Sequence, residues 1–146
     1  MKELLYLKDD QLIEFIEKIS MSYRETFSDA KKVLDRNSIG IAHHKVINLI
    51  SLYEGITISE LLKKLKITKQ SLNRVLRDLK SSKIIKQIKD EKDSRRKLLF
   101  LDENGKKFYK VIFQKQKERI VNALKNSDPE SVINFKKVLK KIINGK

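Results

Sequence analysis

Six polar residues, Lys69, Gln70, Ser71, Asn73, Arg74 and Arg77, crowd into nine consecutive positions of this chain. They interleave with Leu72, Val75, Leu76 and Leu79, whose spacings of three and four place all four apolar side chains on one face of a helix. The polar set then falls on the opposite face, and such a face suits recognition chemistry. Gln70 and Asn73 each carry a donor beside an acceptor, the pattern that pairs with adenine, and Arg74 carries a planar fork suited to guanine or to phosphate. A second cluster follows at Lys92, Asp93, Arg95, Arg96 and Lys97. Asp93 stands two residues before Arg95 and can orient its guanidinium by a charge-assisted bond. At a hairpin tip that guanidinium can enter a narrow A·T-rich minor groove, where the negative potential is deepest. Between Thr68 and Lys97 eleven cations face four acids, a net charge of +7. Without a partner the same residues would form a solvated helix face and an exposed ion pair of little energetic worth.

The elements that must position these residues are legible around them. Thr57-Ile58-Ser59-Glu60 is an S/T-x-x-E arrangement, in which Thr57 caps a helix and Glu60 reaches back to the Thr57 amide. Leu61, Leu62 and Leu65 give that helix its apolar face, Lys66 ends it, and Thr68 caps the next helix. Ile84 to Ile88, a charged turn from Lys89 to Lys97, and Leu98 to Leu101 then read as a hairpin. Residues 57 to 97 therefore form a helix-turn-helix followed by a basic wing, a shape that presents its second helix to a major groove.

Long amphipathic helices flank this centre. Asp9 or Asp10 can cap a first helix striped by Leu12, Phe15, Ile16, Ile19, Tyr23, Phe27, Ala30, Val33 and Leu34. Asn37 to Gly40 breaks that pattern, and a second helix through Val46 and Ile50 closes near Gly55, a left-handed position. Asp102 can cap another long helix. Asp128 and Pro129 begin the last one, with Pro129 at the favoured first helical position. The fold class is mainly α with a small β-hairpin wing (α+β), a winged helix-turn-helix with long N- and C-terminal dimerisation helices. We see no internal repeat or flexible linker, so residues 1–146 are expected to form a single domain. Residues 9–36 and 103–144 would be its dimerisation helices and 41–101 its winged helix-turn-helix region. The terminal stripes lack an intramolecular partner large enough to cover them, which points to a homodimer.

Bulk composition narrows the classes of function. A chain of 146 residues can bury a real core. Its net charge of +15 points to a polyanionic partner, nucleic acid ahead of an acidic membrane surface. The absence of cysteine excludes disulfides, thiolate metal sites and thiol redox sensing. No apolar run approaches the ~20 residues needed to span a bilayer, and residues 1–10 lack a signal-peptide core. A cytoplasmic protein without membrane association is expected. Glycine-rich phosphate loops, nucleophile elbows and clustered acid/base groups are all missing, so the chain does not read as an enzyme and implies no cofactor. His43 and His44 are the only histidines, and neighbouring helical residues point in different directions. A structural or pocket-lining role therefore outweighs a metal site.

These motifs resemble the MarR (multiple antibiotic resistance regulator) family of bacterial winged-helix transcription factors. The resemblance is strongest from Ile56 to Gly105, through Ile58-Ser59-Glu60-Leu61-Leu62, Ile67-Thr68, Leu72-Asn73-Arg74-Val75 and Ile84-Ile85. The wing matches the family's Asp-x-Arg followed by Leu-Thr-x-x-Gly, with Asp93, Arg95, Leu101 and Gly105 in place. Each helix signal alone is common, whereas the wing signature in register with them is specific.

The resemblance implies a sequence-specific regulator of transcription, a repressor, that binds a pseudo-palindromic operator in double-stranded DNA as a homodimer. Its DNA-binding residues would be Thr68, Lys69, Gln70, Ser71, Asn73, Arg74, Arg77, Lys92, Asp93, Arg95, Arg96 and Lys97. It also implies release by a small aromatic or anionic ligand, with Tyr23, Phe27, His44, Tyr53 and Phe113 as candidate effector residues, though ordinary core packing accounts better for Phe27 and Phe113. The competing class is a winged-helix protein–protein interaction module whose cations merely keep it soluble. Departures from the family pattern are Gln87 for a basic residue, Asp102 for threonine and Lys83 for the usual glycine. At the last of these, Lys83 or its neighbour Ser82 must accept the turn between helix and wing.

Overall fold

The computed structural model describes residues 4–146, so Met1, Lys2 and Glu3 of the N-terminal decapeptide considered above lie outside the described residues. Its helices are α1 (Asp9–Ser28), α2 (Lys31–Arg36), α3 (Ile41–Leu52), α4 (Ile58–Leu65), α5 (Lys69–Ser81), α6 (Glu103–Lys125) and α7 (Pro129–Asn144). Its strands are β1 (Ile56–Thr57), β2 (Ile85–Lys89) and β3 (Lys97–Leu101), in the antiparallel order β1-β3-β2. The mainly α architecture with a small β wing is as expected. The chain divides into two compact units, one of Lys31–Phe113 and one joining the residues up to Ala30 with Gln114–Lys146.

Within the Lys31–Phe113 unit the core is continuous. Leu72 and Leu79 of α5 are fully buried, as are Leu61 of α4, Ile47 and Ile50 of α3 and Leu99 of β3. Each such side chain contributes roughly 1.5–3 kcal/mol by leaving water. The hairpin register pairs Gln87 with Leu99 and Lys89 with Lys97. The two-residue strand β1, absent from the sequence reading, exists through its pairing of Ile56 with Leu99. Burial also selects His44, which is 1% exposed; desolvation of its ring lowers its pKa below the usual histidine value.

Helix ends follow their local chemistry. Thr57 accepts the Glu60 N–H at 3.2 Å and Thr68 accepts the Ser71 N–H at 3.1 Å, as expected. Asp128 accepts from both the Ser131 backbone and hydroxyl, and these bonds lower its pKa. Lys83, and not Ser82, takes the left-handed turn, with φ +57°. Around it Lys83 N–H bonds the Lys80 carbonyl and Ile84 N–H the Leu79 carbonyl, a Schellman closure that ordinarily favours glycine. Gly55 is also left-handed, at φ +83°.

Four local expectations are corrected. The single first helix over 9–36 is two helices interrupted at Asp29–Ala30. Ser22, Thr26 and Ser28 turn their hydroxyls back onto carbonyls of α1, which bends and weakens a helix. Asp9 and Asp10 do not cap α1; they lie in its first turn behind Lys8, where their charge still favours the helix dipole. Glu60 does not reach back to the Thr57 amide, because its carboxylate receives Arg96. Asp102 precedes α6, but its carboxylate accepts the Glu103 N–H and not one further into the helix.

The other unit buries little. Neither α1 nor α7 contains a fully buried residue. Phe15, Ile16, Phe135, Val138 and Ile142 all remain substantially exposed. Arg119 grips Asp29 through Nε and Nη2, and that fork lowers the Asp29 pKa.

Candidate nucleic-acid interface

Helix α5 separates its faces sharply. Leu72, Val75, Leu76 and Leu79 are at most 5% exposed, whereas Lys69, Gln70, Ser71, Asn73, Arg74 and Arg77 are all exposed. The apolar spacing produces this division by anchoring one side of α5 in the core. Thr68 fixes where the helix begins: its hydroxyl accepts the Ser71 N–H and donates to the Ser71 hydroxyl at 2.9 Å. Lys66, left-handed at φ +53°, ends α4 three residues before α5 starts. A cleft of about 330 Å³ runs beside α5, lined by Ile58, Asn73, Leu76, Arg77, Lys80 and Ser81. Its cationic wall complements phosphate.

The wing tip is held by side-chain turns. Asp93 Oδ1 accepts the Arg95 N–H at 3.0 Å and Arg95 Nε at 3.3 Å. Asp90 Oδ1 accepts the Lys92 N–H at 3.0 Å, and the Arg96 N–H donates to the Asp93 carbonyl at 2.9 Å. The Arg95 side chain is nonetheless 91% exposed, so Asp93 orients it without covering it. Lys92 and Lys97 are exposed as well. Arg96 points elsewhere, to Glu60 at 3.4 Å and Asp90 at 4.0 Å.

The candidate effector residues are distributed between the two units. Tyr23 and Phe27 meet with ring centroids 4.6 Å apart in one unit. In the other, Phe113 stacks on Tyr109 at 6.2 Å, while Lys64 Nζ lies 4.3 Å from the centre of the Tyr53 ring. Tyr53 and Phe113 thus have separate neighbours, and His44 is buried. The adjacent histidines do diverge, since His43 Nε2 lies 2.9 Å from Asp78 Oδ2 of α5. That bond, the Glu60–Arg96 pair and the Tyr109–Asn48 hydrogen bond at 3.0 Å went unread in the sequence. Their partners are 35 or more residues apart, so no local spacing could reveal them. Among the described residues no group of three His, Asp or Glu could hold a metal ion, and no helix is long and apolar enough to cross a membrane.

Residues 38–96, which contain α5 and most of the wing, match the model of the MarR family. Over 141 residues the chain is 34% identical to the HTH-type transcriptional regulator PetP of Rhodobacter capsulatus, covering 97% of this chain and 85% of that protein. S. aureus MepR in its DNA-binding conformation has the same fold, with TM-score 0.78 and 21% identity over 90% of this chain and 97% of that one. Streptococcus pneumoniae FabT, solved in complex with DNA, matches with TM-score 0.71 and 17% identity over 91% of this chain and 95% of that one. The matched segment is the one that carries the capped recognition helix and the arginine-tipped wing, and the likeness to PetP extends across nearly the whole length. The chain belongs to the MarR family of transcriptional regulators, and its winged helix is of the DNA-binding kind.

Proposed function

We propose that this regulator is a repressor that binds a pseudo-palindromic operator as a homodimer. The observation that carries the reading is the division of α5, a buried apolar side against an uninterrupted exposed side of Lys69, Gln70, Ser71, Asn73, Arg74 and Arg77. In this reading Gln70, Asn73 and Arg74 meet base edges in the major groove. Thr68, Lys69, Ser71 and Arg77 hold the flanking backbone, and Arg95, oriented by Asp93, enters the minor groove beside Lys92 and Lys97. That MepR adopts a DNA-binding conformation and FabT binds DNA supports the same use of the shared fold.

The homodimer reading rests on helices α1 and α7. Two amphipathic helices of 20 and 16 residues that bury nothing completely leave an apolar surface that a second copy can cover. Two-fold pairing would set the operator half-sites about one DNA turn apart. Release by a small aromatic or anionic ligand completes the proposal and is supported by family membership.

Selection of bound fragments from the source genome tests the reading, repeated with a panel of aromatic acids. Recovery of inverted-repeat sites, with loss of some on ligand addition, is the expected result. Recovery of fragments without a shared repeat rejects the operator, and sedimentation of the free protein as a monomer rejects the dimer.

A further inference from the structure

Arg95 and Arg96 are adjacent, yet the fold uses them in opposite ways. Arg95 leaves the protein surface almost entirely, with a side chain 91% exposed and a single acidic neighbour inside the tip. Arg96 turns back to α4. Its Nη2 donates to Glu60 Oε1 at 3.4 Å, and its Nη1 lies 4.0 Å from Asp90 Oδ2. Both acids are themselves placed. Glu60 sits in the first turn of α4, where the capping Thr57 fixes the helix start. The Asp90 side chain is only 20% exposed, its carboxylate accepts the Lys92 N–H, and its own N–H donates to the Arg96 carbonyl at 2.9 Å. Arg96 therefore joins the wing to the helix-turn-helix through charge on one side and closes the wing turn through backbone on the other.

We infer that Arg96 is a positioning residue that clasps the wing to α4 through Glu60 and Asp90 and so sets the direction in which Arg95 is presented to DNA. The inference rests on the proposed role of Arg95 at the groove. It assigns Arg96 a function different from that of the cations around it, because a phosphate approaching this guanidinium would also meet the two carboxylates beside it. The pair is substantially exposed, 54% for the Arg96 side chain and 47% for that of Glu60, so the clasp is weak and the fold does not depend on it. Its value is orientational. An arginine that must reach the floor of a groove loses contact when its base swings by an ångström or so.

The test compares Arg96→Gln, Glu60→Gln and the double variant in the full-length chain. A clasp predicts that each single change weakens operator binding about three- to tenfold, with the salt dependence unchanged. The double variant should be no weaker than Arg96→Gln alone, since that change already removes the bond to Glu60. A phosphate contact predicts opposite signs. Glu60→Gln, which removes a negative charge, would leave binding unchanged or tighten it, and Arg96→Gln would flatten the salt dependence; that pattern overturns the inference. Hydrogen exchange in the free protein supplies a readout independent of DNA. The Asp90 and Arg96 amides should exchange faster in both single variants, and unchanged exchange overturns the clasp even where DNA binding changes. Faster exchange in a protein whose affinity is insensitive to Arg95→Ala would keep the clasp and reject the groove reading of Arg95.

Discussion

Gly105, in the first turn of α6, lies directly against the backbone of Ile84, the residue that leads from α5 into the wing. A Cβ at position 105 would run into the Ile84 carbonyl oxygen and come within 2.9 Å of its carbonyl carbon. The same carbonyl accepts the Asp102 N–H at 2.9 Å, so it is not free to move aside. Gly105 therefore serves close approach between α6 and the root of the wing, with no positive φ involved. Gly105→Ala should destabilise the protein by about 1–3 kcal/mol through overpacking. Urea unfolding measures this, and a midpoint equal to that of the parent protein would show that the contact yields.

Lys83 occupies a glycine position in a Schellman closure at φ +57°. A left-handed conformation costs a non-glycine residue about 1–2 kcal/mol, while a glycine there surrenders about 0.4–1 kcal/mol in unfolded-chain entropy. The difference favours Lys83→Gly by roughly 0.5–1 kcal/mol on these figures. A thermal melt should rise by a few degrees. A lowered melting temperature would mean that the lysine side chain contributes more than the turn costs.

His44 links stability to pH. Its burial lowers its pKa in the folded state, so the unfolded chain takes up a proton first as pH falls below the ordinary value of 6.5. The neutral ring stabilises the fold above that pH, and this contribution is lost as pH drops through the folded-state value. The slope is at most about 1.4 kcal/mol per pH unit. His44→Phe, which keeps an aromatic ring but cannot take up a proton, should lose less stability between pH 7.5 and pH 5.5 than the parent does. Equal losses in parent and variant would assign the dependence to another group.

What could be read in the sequence divides along a physical line. Helix α5 with its Thr68 cap, α7 with Asp128 and Pro129, and the hairpin were all visible because caps and apolar periodicity act over a few residues. The interruption after Ser28 was hidden, since Phe27, Ala30, Val33 and Leu34 continue the helical spacing across it. The break falls where hydroxyls bond back onto carbonyls of α1 and where the Asp29 carboxylate meets a remote partner, Arg119, neither of which the spacing reveals. Strand β1 was hidden because two residues have no pattern of their own and are strand only beside β3. For the interface, the exposed face of α5 was legible residue by residue. The divergence of Arg95 from Arg96 was not, because it depends on Glu60, 36 residues from Arg96.

Arg95→Ala isolates the groove contact from the rest of the interface. Loss of a well-seated arginine costs about 1–3 kcal/mol, equivalent to roughly five- to 150-fold in affinity. The variant should also lose preference for A·T pairs beneath the wing. Its self-association should be unchanged, since Arg95 belongs to the Lys31–Phe113 unit and not to α1 or α7. Unaltered affinity in a fluorescence titration would remove Arg95 from the interface.

In the proposed complex the exposed cations of α5 and the wing meet DNA phosphate. Binding of the full-length chain to a genome-selected duplex, followed by anisotropy across a series of salt concentrations, measures that contact most directly. Each neutralised phosphate adds about 0.9 to the slope of log K against log salt, so two subunits engaging several phosphates each should give a slope steeper than about −5. Weak binding that stays flat with salt would contradict the account and favour a winged helix whose charge serves another purpose.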